Sequence, residues 1–169
     1  VVSPSWGGPA TFPHRYEAGK RQLEQALQLE VIEMPHALRD ESWLAQNPRA
    51  RADDVMQAFA DSSIKGIISS IGGDDSIRLL PYLDLDVIPT HPKVFMGYSD
   101  TNVTHFACFK AGLVSFYGPA IMAGFGENGG LHDYLLNSVK KTLFSSDPVG
   151  VIEPNYEGWT VELPDNVHK

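Results

Sequence analysis

Apolar positions recur along the chain first with helical and then with strand-like spacing. Leu23, Ala26 and Leu27 fall on one side of the segment 16–29, with charges on the other, which predicts an amphipathic helix. Glu30-Val31-Ile32-Glu33-Met34 reads as a strand stopped by Pro35. Val55, Met56 and Phe59 share a face of a helix predicted over 51–60, and Asp53 and Asp54 near its start suit the positive end of the helix dipole. Ile64, Ile67, Ile68 and Ile71 predict a buried strand over 65–71, broken by Gly72-Gly73. A helical pattern resumes over 74–80 and ends at Pro81. Val94-Phe95-Met96 is a short buried strand, 102–111 another helix, and Ser115-Phe116-Tyr117 a further strand before Gly118-Pro119. Leu131, Tyr134, Leu135, Ser138, Val139 and Leu143 mark a last amphipathic helix. The opening Val1-Val2-Ser3-Pro4 reads as the end of a strand, so residues are expected to precede it.

Strands alternating with helices imply right-handed crossovers. The expected fold is α/β: a flavodoxin-like, doubly wound, mainly parallel sheet with helices on both faces. Ligands in such folds sit outside the carboxyl ends of the strands, near the point where strand order reverses. The texture changes from Gly124 onward, through Gly124-Phe125-Gly126-Glu127-Asn128-Gly129-Gly130 and then Ser145-Ser146-Asp147-Pro148. This divides the chain into an α/β domain over 1–123 and a terminal helix with linker over 124–169, leading toward a further domain.

Composition narrows the function classes. The 169 residues suffice for one well-packed domain, and 43% hydrophobic with 20% charged residues is ordinary globular composition. A net charge of −8 with no basic cluster argues against nucleic-acid partners. No run approaches a membrane span and no leader opens the chain, so a cytoplasmic protein is expected. The single Cys108 excludes an internal disulfide, offers no zinc spacing, and is expected to be a buried helix residue.

Three unusual segments fall at predicted carboxyl ends of strands: Ser3-Pro4-Ser5-Trp6-Gly7-Gly8-Pro9, Gly72-Gly73-Asp74-Asp75-Ser76 and Gly97-Tyr98-Ser99-Asp100-Thr101. A serine on a sharp strand-to-helix turn projects its hydroxyl, and the turn needs a small residue two positions earlier. Gly97 meets that need, and Thr101 is small enough on the other flank. The Asp100 amide would then face an oxyanion with help from the helix dipole, and a second amide from Gly73 would complete a two-donor hole. Two plainer readings stay open: Ser99 or Asp100 caps its own helix, and Asp74 or Asp75 caps the preceding one.

A serine needs a base oriented by a carboxylate. His105 follows Ser99 by six positions on a helix leading away from the turn, so its ring is not expected to return to the hydroxyl. His14, His36, His91, His132 and His168 lie in loops or at chain and helix ends, and Glu127, Glu153, Glu157 and Glu162 read as surface residues. No internal triad emerges.

Taken in order, Ile71-Gly72-Gly73-Asp74-Asp75-Ser76-Ile77-Arg78-Leu79-Leu80-Pro81, then Gly97-Tyr98-Ser99-Asp100-Thr101, then Phe116-Tyr117-Gly118-Pro119, the chain resembles the LD-carboxypeptidase family of serine peptidases. Ser3-Pro4-Ser5-Trp6-Gly7-Gly8-Pro9 and the run 124–130 look closer to the branch that contains the microcin C immunity protein. The resemblance implies a two-domain enzyme with a Ser–Glu–His triad. Ser99 matches the nucleophile, Asp100 and Gly73 match the oxyanion-hole amides, and Glu and His come from a C-terminal domain beyond this chain. It implies no metal or organic cofactor, a small peptide or peptidyl-nucleotide substrate, and a homodimer of the full-length form.

Two substrates compete within the family: the amide joining an amino acid to a nucleotide-like group in microcin C, and the L,D-amide of a cytoplasmic murein tetrapeptide. The branch-like motifs favour the first. Gly72, Asp74 and Trp159 are candidate substrate-binding residues. Trp159 could lie near a nucleotide ring or pack against the linker, and the tail 162–169 lacks the further aromatic expected of that branch. A non-enzymatic module binding an anionic small molecule is the rival of a different class. An amidotransferase-like domain built on Cys108 is disfavoured, because that residue lies mid-helix nine positions past the turn.

Overall fold

A computed structural model describes residues 1–156 and 158. Its elements, in order, are α1 (Gly8–Thr11), α2 (Pro13–Leu27), α3 (Glu41–Gln46), α4 (Pro48–Ala60), β1 (Gly66–Ile68), a 3-10 turn (Ser76–Tyr82), α5 (Val87–Thr90), β2 (Val94–Gly97), a second 3-10 turn (Ser99–Thr101), α6 (Asn102–Lys110), β3 (Phe116–Tyr117) and α7 (Asp133–Leu143). Two of the long helices open on proline, which fits the first turn because its missing N–H has no partner there anyway. The short α3 opens on Asp40, whose carboxylate accepts from the Trp43 N–H at 2.9 Å.

β1, β2 and β3 form a parallel sheet in that order, with Ile67 beside Phe95 and Met96 beside Phe116. Outside β1, Val2 bridges Ser69 in parallel: its N–H donates to the Ile68 carbonyl and its carbonyl accepts from Ser70. Beyond Val2, the Met34 N–H donates to the Val1 carbonyl at 3.0 Å. The spatial order is therefore 31–34, 1–2, β1, β2, β3, the flavodoxin order, and it reverses between Val2 and β1.

Side chains alternate across this sheet and build a core on each face. Ile67, Phe95 and Val2 pack with Val55, Ala58 and Phe59 of α4 and with Ala107 and Cys108 of α6. Met96 and Ile68 face the other way, against Tyr16 and Leu23 of α2, Phe125, and Val139 of α7. Each face is thereby sealed by helices, as a doubly wound sheet requires. The outer side of α6 leaves Phe106 and Phe109 exposed next to Val114. No helix among the described residues is long and apolar enough to cross a membrane.

Several sequence expectations are corrected. Residues 30–34 do not form a strand: they pair only through Val1, and the Val31 N–H is taken by the Glu24 carboxylate at 3.0 Å. The helix expected over 51–60 starts at Pro48 instead, so Asp53 and Asp54 lie past the first turn, where the dipole is no longer felt. Asp54 is buried and accepts from the His36 N–H at 2.9 Å and pairs with its ring at 2.8 Å. The segment 74–80 makes a 3-10 turn over Ser76–Tyr82 with Pro81 inside it, because Pro81 has no N–H for an α-helical bond.

Candidate active site

β2 ends at Gly97 and the chain turns sharply into α6 through Tyr98 and Ser99. Ser99 has φ +61, a left-handed conformation that costs a non-glycine residue about 1–3 kcal/mol. Gly97 is required by contact: a Cβ there would lie 2.4 Å from Ser69 Oγ and 3.0 Å from Thr101 Oγ1. Thr101 is fully buried and its hydroxyl donates to the Tyr98 carbonyl at 2.6 Å, closing the turn. Ser99 itself is exposed. The small flank and the sharp turn are those the sequence predicts.

The loop after β1 is pressed against the same serine. A Cβ on Gly72 would stand 2.8 Å from Ser99 Cβ, 2.9 Å from Ser99 Oγ and 3.5 Å from the Asp100 nitrogen. A Cβ on Gly73 would collide with Ser5 Oγ at 2.1 Å and with Trp6. The Trp6 N–H donates to the Gly72 carbonyl at 3.1 Å, so the Ser3–Pro9 loop buttresses this loop from the far side. The three segments singled out in the sequence thus meet at one place on the carboxyl edge, beside the strand-order reversal.

Asp100 ties them together. Its carboxylate accepts from the Ser5 hydroxyl at 2.5 Å and from the Ser76 N–H at 2.8 Å, while its carbonyl accepts from the Ser76 hydroxyl at 2.5 Å. The capping readings are therefore replaced by a different one. Neither Ser99 nor Asp100 caps its own helix, and neither Asp74 nor Asp75 caps the 3-10 turn. Asp100 caps that turn from across the site. Asp75 instead receives two parallel bonds from Arg51, at 2.6 and 3.1 Å, and Arg51 also donates to the Pro4 and Ser5 carbonyls at 3.3 and 3.1 Å. Bidentate pairing of this kind fixes geometry as well as charge. The Arg51 side chain is fully buried, so it acts as an internal bracket for two of the three loops. Asp74 is exposed, at the rim of the site.

No histidine or carboxylate among the described residues is hydrogen bonded to Ser99 Oγ. His105 is engaged elsewhere: Nε2–H donates to the Gly97 carbonyl at 2.9 Å, and Nδ1 accepts from the Ser115 hydroxyl at 2.8 Å. Burial lowers its pKa below 6.5, against the opposing pull of the Gly97 carbonyl. His36 pairs with Asp54 and stacks on Trp43 at 5.0 Å. His91 contacts Thr90 and the Val87 carbonyl, His14 is exposed, and His132 precedes α7. Glu127 pairs with Arg15 at 3.3 Å, and Arg15 Nε donates to the Met122 carbonyl at 2.6 Å, securing the run 124–130. Cys108 is fully buried and burial pushes its thiol up to about 11, which leaves no thiolate for attack. Trp159, with Glu157, Glu162 and His168, lies outside the described residues.

Arg51 and Tyr117 went unnoticed in the sequence. Arg51 had a legible signal: it stands on the apolar stripe of α4, four residues before Val55, where a charge must find a buried partner. Tyr117, whose hydroxyl accepts from the Ser99 N–H at 3.0 Å, had none, because that contact depends on β3 lying beside β2.

A family model described as the LD-carboxypeptidase N-terminal domain matches residues 1–118. A putative carboxypeptidase of Vibrio cholerae is 34% identical over 137 residues, covering 80% of this chain and 41% of the relative. The microcin C7 self-immunity protein MccF of Escherichia coli is 42% identical over 96 residues, 56% of this chain and 28% of that protein. A probable murein peptide carboxypeptidase of Bacillus subtilis is 32% identical over 97 residues, covering 56% and 30%. Among solved structures, an MccF-like protein from Streptococcus pneumoniae in complex with AMP superposes with a TM-score of 0.78 at 34% identity, over 87% of this chain and 44% of that one. MccF in complex with aspartyl sulfamoyl adenosine gives 0.74 at 32% identity, over 83% and 42%. The chain spans less than half the length of these proteins.

Proposed function

We infer the function from one premise: the chain belongs to the LD-carboxypeptidase family and contains its N-terminal domain. A peptidase is the activity that family and relatives support. We propose that Ser99 is the nucleophile of a serine-type reaction. Its hydroxyl attacks an amide carbonyl, the negative oxygen is held by the Asp100 and Gly73 amides, the amine departs, and water releases the acyl group. The observation that carries this reading is the exposed Ser99 at φ +61 with the glycine edge of Gly72 packed on its Cβ. A rigid, strained presentation of one hydroxyl is what such a reaction needs of its nucleophile.

The base is proposed to be a histidine oriented by a glutamate, both from a C-terminal half of the kind the longer relatives possess. Residues 124–169 then lead toward that half, and the isolated chain hydrolyses nothing. The proposed substrate is an amide between an amino acid and a nucleotide-like group, which would make the enzyme an antibiotic-detoxifying one acting in the cytoplasm as a homodimer. Structural neighbours that hold AMP and aspartyl sulfamoyl adenosine favour this class. Gly72, Asp74 and Trp159 are proposed to line the substrate path. The likeness to a murein peptide carboxypeptidase supports a second reading, cleavage of an L,D-amide in a murein tetrapeptide.

The test joins this chain to the C-terminal half of a family relative and offers both substrates. Cleavage of the aminoacyl-nucleotide amide, lost in Ser99→Ala, is expected; preferential release of D-alanine from the tetrapeptide selects the second reading. Full activity in Ser99→Ala, or in the isolated chain, would overturn the proposed catalytic assignment.

A further inference from the structure

We propose that Tyr117 is a positioning residue for Ser99, holding the serine backbone in its strained conformation; this rests on the reading of Ser99 as nucleophile. A φ of +61 persists only where surroundings over-determine it. Three restraints are visible. Gly72 leaves room on one side, Thr101 closes the turn below, and the Ser99 N–H donates to Tyr117 Oη at 3.0 Å. The first leaves space for the side chain, and the second ties the backbone before Ser99. The Tyr117 contact fixes the peptide plane itself.

Tyr117 is 64% exposed, so core packing does not explain it. Its ring is held at the edge by His105 at 5.8 Å and by Tyr98 at 6.3 Å, nearly perpendicular. The residue just after the strand donates its N–H, that of Gly118, to the Gly97 carbonyl at 3.0 Å, and that carbonyl takes the His105 bond as well. The end of β3 and the residue after it thus grip both ends of the turn, Ser99 through Tyr117 and Gly97 through Gly118. The division of donors has a chemical consequence. With its own N–H committed to Tyr117, Ser99 leaves the oxyanion to the Asp100 and Gly73 amides.

Amide exchange and the φ-sensitive three-bond coupling of Ser99, read by NMR on this chain, test the assignment in Tyr117→Phe and in Tyr98→Phe. Tyr117→Phe is expected to speed exchange of the Ser99 amide roughly tenfold, the size of one hydrogen bond, and to change its coupling. Amides in β1 and α4 and the melting temperature are expected to stay as they are. Tyr98→Phe should leave Ser99 unchanged. Unaltered Ser99 exchange in Tyr117→Phe, or an equal change in both variants, would overturn the proposal. Because the measurement needs no substrate, a Ser99 that proves unreactive would defeat the nucleophile reading while leaving the exchange result intact.

Discussion

The two edges of the sheet are built on opposite plans. At the carboxyl edge, Ser5, Arg51, Asp75, Ser76 and Asp100 interlock through charge-assisted hydrogen bonds around Ser99. At the amino edge, Leu23, Leu27, Ile32, Ile64, Ile67 and Leu143 surround an apolar cavity of about 440 Å³. This cavity therefore lies at the opposite edge of the sheet from Ser99. A polar network in a low-dielectric setting has directional bonds and holds atoms to narrow tolerances, whereas apolar packing supplies stability with little demand on direction. The carboxyl edge should thus respond to single-atom changes, and the amino edge should absorb them.

The largest expected break in that contrast comes from Arg51→Met. It removes the bidentate bonds to Asp75, leaving that carboxylate only Arg78, at 3.6 Å, among the described residues, and leaves the Pro4 and Ser5 carbonyls without their Arg51 donor, so urea unfolding should show a loss of about 3 kcal/mol. A loss near zero would mean that the bracket contributes no stability. Next is Gly72→Ala, whose new Cβ would meet Ser99 at 2.8 Å. Displacement of Ser99 by a fraction of an ångström should slow its reaction with a serine-directed probe roughly 100-fold in the enzyme that joins this chain to a family C-terminal half, with the overall fold retained by circular dichroism.

A smaller effect is expected from pH. The folded state holds the His105 pKa below 6.5 by burial, so it binds fewer protons than the unfolded chain as pH falls through that value. Stability from this group is complete above pH 6.5 and declines as pH drops toward the lowered value. Thermal melts from about pH 7.5 to about pH 5.5 should show this decline in the native chain and a shallower one in His105→Gln; identical slopes would remove His105 from the acid response. Smallest of all, Leu27→Phe at the amino edge should change stability by less than about 1 kcal/mol, since the cavity accepts the added volume. It should leave Ser99 reactivity untouched.

The sequence made the long helices and the parallel order legible because both rest on periodicity that local residues carry. α2 and α7 show it in Leu23 and Leu27, and in Leu135 and Val139. Gly97 and Ser99 were legible too, since a strained turn restricts which residues it tolerates. The four-residue α1 and α5 were not, being too short for an apolar stripe. Residues 30–34 misled because strand composition does not reveal that Glu24 takes the Val31 N–H. The capping roles of Asp75 and Asp100 also misled: a carboxylate beside a helix start looks like its cap, yet the partner was chosen across the site by tertiary contact.

The central claim is that the carboxyl edge presents Ser99 as a nucleophile. Its most direct test is treatment with a serine-directed phosphonate of the enzyme that joins this chain to a family C-terminal half, followed by peptide mass mapping. The expected result is a single adduct on Ser99, absent in Ser99→Ala. An adduct on Ser5 or Ser76 instead, or no adduct in an enzyme that still cleaves its substrate, would contradict the account.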